Sequence, residues 1–226
     1  MRFPTPLKGW RVFAGEVGTI VLGVLVALGA QELVQSLHWR REVAETRKAL
    51  DAELARDLAV FDQRYRSSAC VADRLSEISR WADSLAAGKP LTLKHSIEEP
   101  PFFLVRTAAW EVTDGEIASR IPLQAKLTYA AFYDGMRQYA ELKKTESDAW
   151  LTLYQYGPSK TLDPADLRAL RGALKDIDDS NQALGPFKAA FERFSRQLGI
   201  TPQAKLEGAG NPVLQQWEKK ACSPLL

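Results

Sequence analysis

Two histidines are the side chains in this sequence best suited to acid–base chemistry near neutral pH. His38 directly precedes Trp39, and His95 lies in a proline-rich stretch. Neither histidine has a cysteine cluster nearby that could complete a zinc site. The motifs of serine hydrolases, phosphate-binding loops, dinucleotide-binding turns and zinc proteases are absent. We therefore predict no catalytic residue, no metal site and no cofactor, and we expect a protein that is not an enzyme.

One carboxylate, Glu16, stands inside a long apolar run. Residues 12–30 read VFAGEVGTIVLGVLVALGA, and Glu16 is the only charged side chain among them. A helix of this length spans about 28 Å, close to the hydrocarbon thickness of a bilayer. An ionised group at that depth pairs with a partner or reaches the headgroups beside the basic residues that precede it. The run predicts a transmembrane anchor at 12–37, after a short tail at 1–11.

Small residues in the same run would let another helix approach closely. Ala14 and Gly18 are one helical turn apart, and so are Gly23 and Ala27. Together with Glu16, these four residues are the predicted contacts to a second transmembrane helix. The alternative for them is a spacing that arose by chance and serves no contact.

Trp10 and Trp39 are the predicted interfacial anchors of this span. Along a helix they are about 43 Å apart, which matches the separation of the two headgroup layers where tryptophan is enriched. A buried helix of a soluble protein and a cleaved signal peptide are the alternatives for the apolar run. No proline or glycine interrupts the chain between Ala30 and Ala87, so the run is typical of the first part of a longer helix. We therefore expect an uncleaved anchor.

The orientation follows from the short basic tail and the cysteines. Basic residues flank the run on both sides, so the positive-inside rule alone does not choose. A short basic tail before a lone anchor is typical of a cytoplasmic N-terminus, with residues 38–226 forming an extracytoplasmic domain. Cys70 and Cys222 are the two cysteines, and we predict a disulfide that ties down a loose C-terminal segment. Two buried thiols are the alternative.

The remaining chain is rich in helical patterns. Residues 40–87 carry equal numbers of basic and acidic side chains and predict a long amphipathic helix. The sequence leaves open whether this helix breaks near Ser67, since no strong helix breaker occurs there. Its apolar positions recur at steps of three and four: Val43, Leu50, Leu54, Leu58, Phe61 and Tyr65. Gly88 ends it, and a loop rich in proline follows.

Further helices are predicted along the rest of the sequence. They comprise a short helix from Pro101 through Trp110, a long helix from Pro122 to Gly157, a helix starting at Asp163-Pro164, a segment from Phe187 to Leu198 after a turn at Gly185-Pro186, and a short helix at Val213 to Ala221. No stretch alternates as a strand does. The fold class is therefore predicted as all-α: an anchor helix that continues into a long amphipathic helix packed in an up-and-down helical bundle.

An aromatic group in the middle of the sequence is a candidate pocket for an apolar ligand. Its members are Phe102, Phe103, Trp110, Tyr129, Phe132, Tyr133 and Tyr139. The alternative is that these side chains are hydrophobic core.

Composition excludes two broad classes. The chain has 226 residues, of which 46% are hydrophobic, which is enough apolar material for a folded core and argues against disorder. The net charge is only +2, far from the dense positive field of nucleic-acid-binding proteins. We therefore expect no nucleic-acid partner.

Several segments together resemble a family of uncharacterised bacterial membrane proteins. They are Gly15-Glu16-Val17, GVLVAL at 23–28, Trp39, and TAAWEVTDGEIASRIP at 107–122 followed by Tyr129 to Tyr133. The family has one N-terminal anchor that opens on a Gly-Glu-Ile-like sequence and an extracytoplasmic helical domain with an Ala-Trp-Glu segment. The resemblance covers the anchor, the first long helix and residues 107–140. It implies a single-pass protein of the bacterial inner membrane with most of the chain in the periplasm, and it implies no reaction.

These observations lead to one main functional hypothesis and one alternative. The first is a membrane-anchored helical interaction protein, a scaffold or accessory subunit of a membrane assembly. Its partners would be the lipid bilayer and a protein or second copy bound through the transmembrane and long amphipathic helices. The alternative is an extracytoplasmic helical bundle that senses a small molecule.

Overall fold

The computed structural model describes residues 9–89, 91–113, 115–157, 162–206 and 210–226. Its helices are α1 (Trp10–Arg66), α2 (Ser68–Ala86), α3 (Ala108–Glu111), α4 (Gly115–Arg120), α5 (Leu123–Tyr154), α6 (Pro164–Leu198) and α7 (Pro212–Ala221). No strand occurs within these ranges, so the all-α prediction is confirmed.

Helix α1 has 57 residues and no interruption, a length of about 85 Å. It begins at Trp10, inside the segment that the sequence assigned to a tail, and residues 1–8 of that tail lie outside the described residues. It ends where the Ser67 hydroxyl donates to the Arg64 carbonyl at 2.8 Å, a side-chain bond that competes with the helical pattern. Because α2 starts at the next residue, the helix is interrupted at Ser67, a question that the sequence left open.

The N-terminal part of α1 stands apart from the folded core. Among the described residues, this helix alone contains a stretch long enough and apolar enough to cross a membrane, judged by length and composition. None of the residues in that stretch is buried by the rest of the protein. The apolar surface therefore has no partner within the chain.

Helix α5 runs parallel to the C-terminal half of α1. Near one end of the pair, the Tyr129 hydroxyl donates to the Asp51 carboxylate, and further along Arg64 Nη2 donates to Glu146 Oε1 at 2.8 Å. Residue numbers thus rise together in both helices. A parallel pair needs a connection that returns the full length of the bundle. The segment between α2 and α3, called the return segment below, provides this connection, and its described residues form no helix. Only the short α3 forms where a helix from Pro101 was predicted.

Helix α6 closes the bundle by running antiparallel to both. Its Asn181 accepts a hydrogen bond from Arg64, whereas its Phe191, further along, contacts Phe61 at 4.9 Å between ring centroids. Against α5 the approach is close, because a Cβ on Gly135 would lie 3.0 Å from the Phe191 ring. The up-and-down packing therefore consists of α1 and α2 in series, the return segment, α5 and α6.

The apolar core consists of two clusters. The cluster nearer the exposed part of α1 includes Leu50, Leu54, Leu58, Phe61, Tyr129, Phe132, Tyr133, Met136, Tyr139, Leu184 and Phe191. The cluster beyond it includes Val71, Leu75, Ile78, Trp81, Ile97, Trp150, Leu153, Leu170, Ile177 and Leu225. Helices α5 and α6 contribute to both clusters, so they join the two ends of the bundle.

The start of α6 is as predicted, but the turn predicted at Gly185-Pro186 is wrong. Asp163 caps the helix as the acceptor for the Ala165 and Asp166 amides, in a capping box. The helix then continues through Pro186 to Leu198. Gly185 has no Cβ to clash with the proline ring, and Pro186 is exposed, so the carbonyl it leaves unbonded faces water. Burial of residues on both sides of Pro186 outweighs the lost hydrogen bond.

The C-terminal segment is fastened to α2. Cys70 and Cys222 form a disulfide with their Cα atoms 5.4 Å apart, which confirms the predicted pairing. Arg74, buried in α2, donates to the Ala221 carbonyl at 2.7 Å. Leu225 is fully buried in the distal apolar cluster. The last residues are thus part of the core and do not form a loose tail.

Candidate functional site

The predicted contacts of the anchor lie on two opposite faces of α1. Successive residues of an α-helix turn by about 100°, which places Glu16, Gly23 and Ala27 on one face. Ala14 and Gly18 lie on the other. All five are exposed in the protein, and a Cβ added at either glycine would meet no atom within 4 Å. A single partner helix can therefore use Glu16, Gly23 and Ala27 together, but not all five residues.

The two predicted interfacial tryptophans differ in their surroundings. Trp10 is 76% exposed and contacts Phe13 alone among the described aromatic rings. Trp39 is half-buried, and the guanidinium of Arg120 lies over its ring, 4.0 Å from the centroid. This cation–π contact joins α1 to the end of α4. Trp39 is consequently held in a fixed orientation at the junction of the apolar stretch and the bundle.

The predicted aromatic pocket separates into two regions. Tyr129 and Tyr133 are fully buried, and Trp110 stacks on Tyr133 with 5.4 Å between centroids. These three rings belong to the core and fill space that a ligand would need. Phe102 and Phe103 lie on the return segment and are not members of that core cluster, so the seven predicted aromatic residues do not form one pocket.

Phe102 and Phe103 instead line a groove against α5. The groove encloses about 360 Å³, and its other walls include Tyr139, Lys143 and Ser147. Lys143 Nζ lies 4.9 Å from the Phe102 ring centroid, so the groove combines apolar walls with one cation. This size and composition are typical of sites that bind small amphipathic molecules.

A buried layer of charged side chains separates the two apolar clusters. Glu146 is at its centre and accepts hydrogen bonds from Arg64, Lys143 and the Trp150 indole, at distances between 2.8 and 3.3 Å. Lys143 also pairs with Glu99 of the return segment at 3.4 Å. The layer thereby links α1, α5 and the return segment across the middle of the bundle.

Burial and the neighbouring cations together set the pKa values of Glu146 and Glu99 in this layer. Burial alone would raise the pKa of Glu146, but the nearby Lys143 and Arg64 hold it below its ordinary value. For Glu99 burial prevails over the attraction of Lys143, so its pKa is raised. Sequence reasoning did not single out these residues. Their signal was the occurrence of Lys143 and Glu146 at core spacing between Tyr139 and Trp150.

Asp57 connects α1 to the return segment. Its carboxylate accepts the backbone N–H of Arg106 at 3.0 and 3.1 Å and a hydrogen bond from Arg56 at 2.7 Å. The side chain is fully buried. Burial raises the pKa of Asp57 from 3.8 to about 7, against the opposing effect of the Arg106 and Arg56 hydrogen bonds.

This shift predicts a pH-dependent stability. Because the folded state binds the Asp57 proton more tightly than the unfolded chain, stability from this group is present below about pH 4 and is lost as pH rises towards 7. We expect Asp57→Asn to be more stable than the wild type at about pH 8 and to have a flatter profile between about pH 4 and 7. Denaturant unfolding at several pH values checks this. Asp73→Asn, at an exposed position, is the control, and an equal effect there would contradict the prediction.

The two histidines differ in their surroundings. Both ring nitrogens of His95 are engaged, with the Ser96 carbonyl at 2.9 Å and the Ser223 hydroxyl at 3.0 Å. His38 is exposed and contacts the ring of Trp39. No group of three or more histidine, cysteine or acidic side chains suited to a metal ion occurs in the part of the chain that is described.

Comparison with known proteins found no matching protein family, no matching curated protein and no matching solved structure.

Proposed function

We propose that the protein is a membrane-anchored helical interaction protein, without enzymatic activity, that serves as a scaffold or accessory subunit of a membrane assembly. The observation that carries this proposal is the continuity of α1. One helix extends from the exposed apolar stretch to buried core residues such as Leu50 and Phe61. A partner bound to the span would therefore have a fixed orientation relative to the bundle.

The proposed location is the bacterial inner membrane, with a single pass and the bundle in the periplasm. The Cys70–Cys222 disulfide supports an oxidising compartment, because such bonds are rare in the cytosol. The exposed apolar stretch supports a bilayer as its environment, because water would solvate that surface poorly. No feature of the bundle favours a nucleic-acid partner.

Purification of the full chain from its native membrane in mild detergent tests the proposal. We expect it to resist carbonate extraction and to retain a stoichiometric protein partner or a second copy. A chain that is released by carbonate would contradict the anchor. A chain that stays in the membrane but is always recovered alone and monomeric would contradict the interaction role.

The face formed by Glu16, Gly23 and Ala27 is the proposed contact with a partner helix. We expect Gly23→Ile to reduce recovery of the partner roughly threefold or more, since a bulky side chain prevents close approach. Glu16→Gln should act in the same direction if the carboxylate pairs across the interface. Quantitative co-purification is the measurement.

Gly18→Ile is the matched control for this face, because it adds the same side chain on the opposite side of the same helix. We expect it to leave partner recovery and membrane insertion unchanged. Equal losses for Gly18→Ile and Gly23→Ile would show that the contact face is not the proposed one. Unchanged recovery in all three variants would mean that the span is only an anchor.

A small-molecule sensor is the second candidate, and the groove beside Phe102 favours it. Apolar walls and the Lys143 cation suit a ligand with an acidic group and an apolar body. The same purification discriminates between the two candidates. A small molecule extracted in stoichiometric amount, in the absence of a protein partner, would favour the sensor.

A further inference from the structure

A second cavity lies where the exposed part of α1 meets the bundle. It encloses about 680 Å³ between α1 and the turn that joins α4 to α5. Three arginines line it, Arg40 and Arg47 from α1 and Arg120 from α4. Glu32 is the one carboxylate among its lining residues. The cavity therefore has an excess of positive charge.

Two of these three guanidinium groups, those of Arg40 and Arg120, have no partner or only a weak one among the described residues. Arg40 has no hydrogen bond or ion pair with any residue that the structure describes. Arg120 pairs with Glu116 at 3.4 Å, but both side chains of that pair are substantially exposed. Water weakens such a pair to a small net contribution, so Arg120 can exchange partners at low cost.

Two further donors at this cavity lack acceptors altogether. Trp39 Nε1 and Arg47 Nε are buried and have no hydrogen-bond partner in the described ranges. Buried N–H groups are nearly always paired in folded proteins, because an unpaired one keeps the desolvation penalty. The nearby Tyr129 hydroxyl raises the pKa of the Arg47 guanidinium, which places this group against α5. The missing acceptors indicate a site that an anion would complete.

The position of the cavity along α1 specifies the source of the anion. Its lining residues on α1 begin at Glu32, just beyond the apolar run, and include Trp39 at the depth expected for headgroups. Phosphate is the anion that a bilayer presents at this depth. Planar guanidinium groups bind phosphate oxygens through paired, charge-assisted hydrogen bonds.

We propose that this cavity binds the phosphate of an anionic phospholipid headgroup, held by Arg40, Arg47 and Arg120. The inference rests on the proposed membrane anchoring and adds a lipid-specific site to it. The bound headgroup holds the bundle against the membrane surface at one rotation of α1, since the site includes residues from both α1 and α4.

Arg40→Gln and Arg41→Gln form a matched pair for the test. The two arginines are adjacent and exposed and lose the same charge, but Arg40 lines the cavity whereas Arg41 does not and pairs with Glu45 at 3.8 Å. The full chain in detergent is titrated with phosphatidylglycerol, phosphatidylcholine or inorganic phosphate, and bound species are counted by native mass spectrometry. Carbonate extraction and thermal unfolding of each variant are measured in parallel.

We expect the wild type to prefer phosphatidylglycerol over phosphatidylcholine. Arg40→Gln should weaken that binding roughly tenfold, the size expected for one charge-assisted hydrogen bond, and Arg41→Gln should leave it unchanged. Equal losses for both variants would overturn the site in favour of general surface charge. Displacement of the lipid by inorganic phosphate at equal concentration would overturn the lipid source. A wild type that binds both lipids equally but resists carbonate extraction refutes this site alone, whereas release of the wild type by carbonate refutes the anchor.

Discussion

Replacing Glu146 with Gln is expected to destabilise the folded protein by about 3–5 kcal/mol, because it leaves the buried Arg64 without its counter-charge and Lys143 with Glu99 as its remaining partner. Arg64 and Lys143 both donate to this carboxylate and are almost fully buried. Glutamine keeps the shape and an acceptor oxygen for the Trp150 indole, so the loss is mainly electrostatic. Denaturant unfolding of the detergent-solubilised full chain, followed by circular dichroism, measures the change.

An exposed ion pair of the same bundle is the control for this prediction. Glu192 pairs with Lys188 at 2.9 Å one turn away on α6, and its side chain is 52% exposed. We expect Glu192→Gln to change stability by about 1 kcal/mol or less. A cost for Glu146→Gln no larger than that would show that the charged layer is hydrated in solution.

A triple variant tests whether the charged layer stabilises the folded protein more than apolar side chains of similar volume would. Replacing Arg64 and Lys143 with Met and Glu146 with Leu removes three of the four charges of the layer and keeps most of the volume. Glu99, at the edge of the layer, keeps its hydrogen bond from the Ser147 hydroxyl. Burying charges costs more desolvation energy than their attraction often returns, so we expect this variant to be as stable as the wild type or more stable. A large loss of stability would contradict this account of the layer.

Removing the disulfide is expected to have the second large effect. Cys70 and Cys222 are 152 residues apart, and loop-closure entropy for a loop of that size is on the order of 5 kcal/mol. We expect the Cys70→Ser, Cys222→Ser variant to lose about 2–5 kcal/mol of unfolding free energy. Thermal unfolding with and without a reductant measures this, and reduced wild type should match the variant.

The loss should begin at the C-terminal segment. Leu225 is fully buried, and the Ala221 carbonyl is held by Arg74, so both contacts depend on the position that the disulfide imposes. Hydrogen exchange of residues 221–226 should therefore increase more than that of α5. Alkylation without reductant checks the bond itself. Two labelled thiols in denaturant would contradict the disulfide and remove one support for a periplasmic bundle.

Features set by local sequence were predictable in this protein. The apolar run at 12–30 needs only composition and length, because its environment is solvent or lipid and not a particular side chain. The cap at Asp163 is likewise local, since it is made by a side chain bonding to backbone within one turn. The disulfide was predictable because two cysteines allow one pairing.

Features that depend on distant contacts were not predictable. Pro186 remains helical because core residues on both sides of it are buried, which local propensity does not include. The aromatic group divided because α3 places Trp110 on Tyr133 while the return segment carries Phe102 to a different surface. In both cases packing energy decided between conformations that the local sequence left nearly equal.

By itself, then, the sequence determined the all-α fold class, the apolar stretch of α1 and the two cysteines that are able to pair. Only the tertiary structure decided which charged residues are buried, since Glu146 pairs with Arg64, which is 82 residues away along the chain. Only the structure brought Arg120 beside Arg40 and Arg47 to form a positive cavity. The physical reason is that burial and charge pairing depend on distance in space, whereas helix formation depends on neighbours within a few residues.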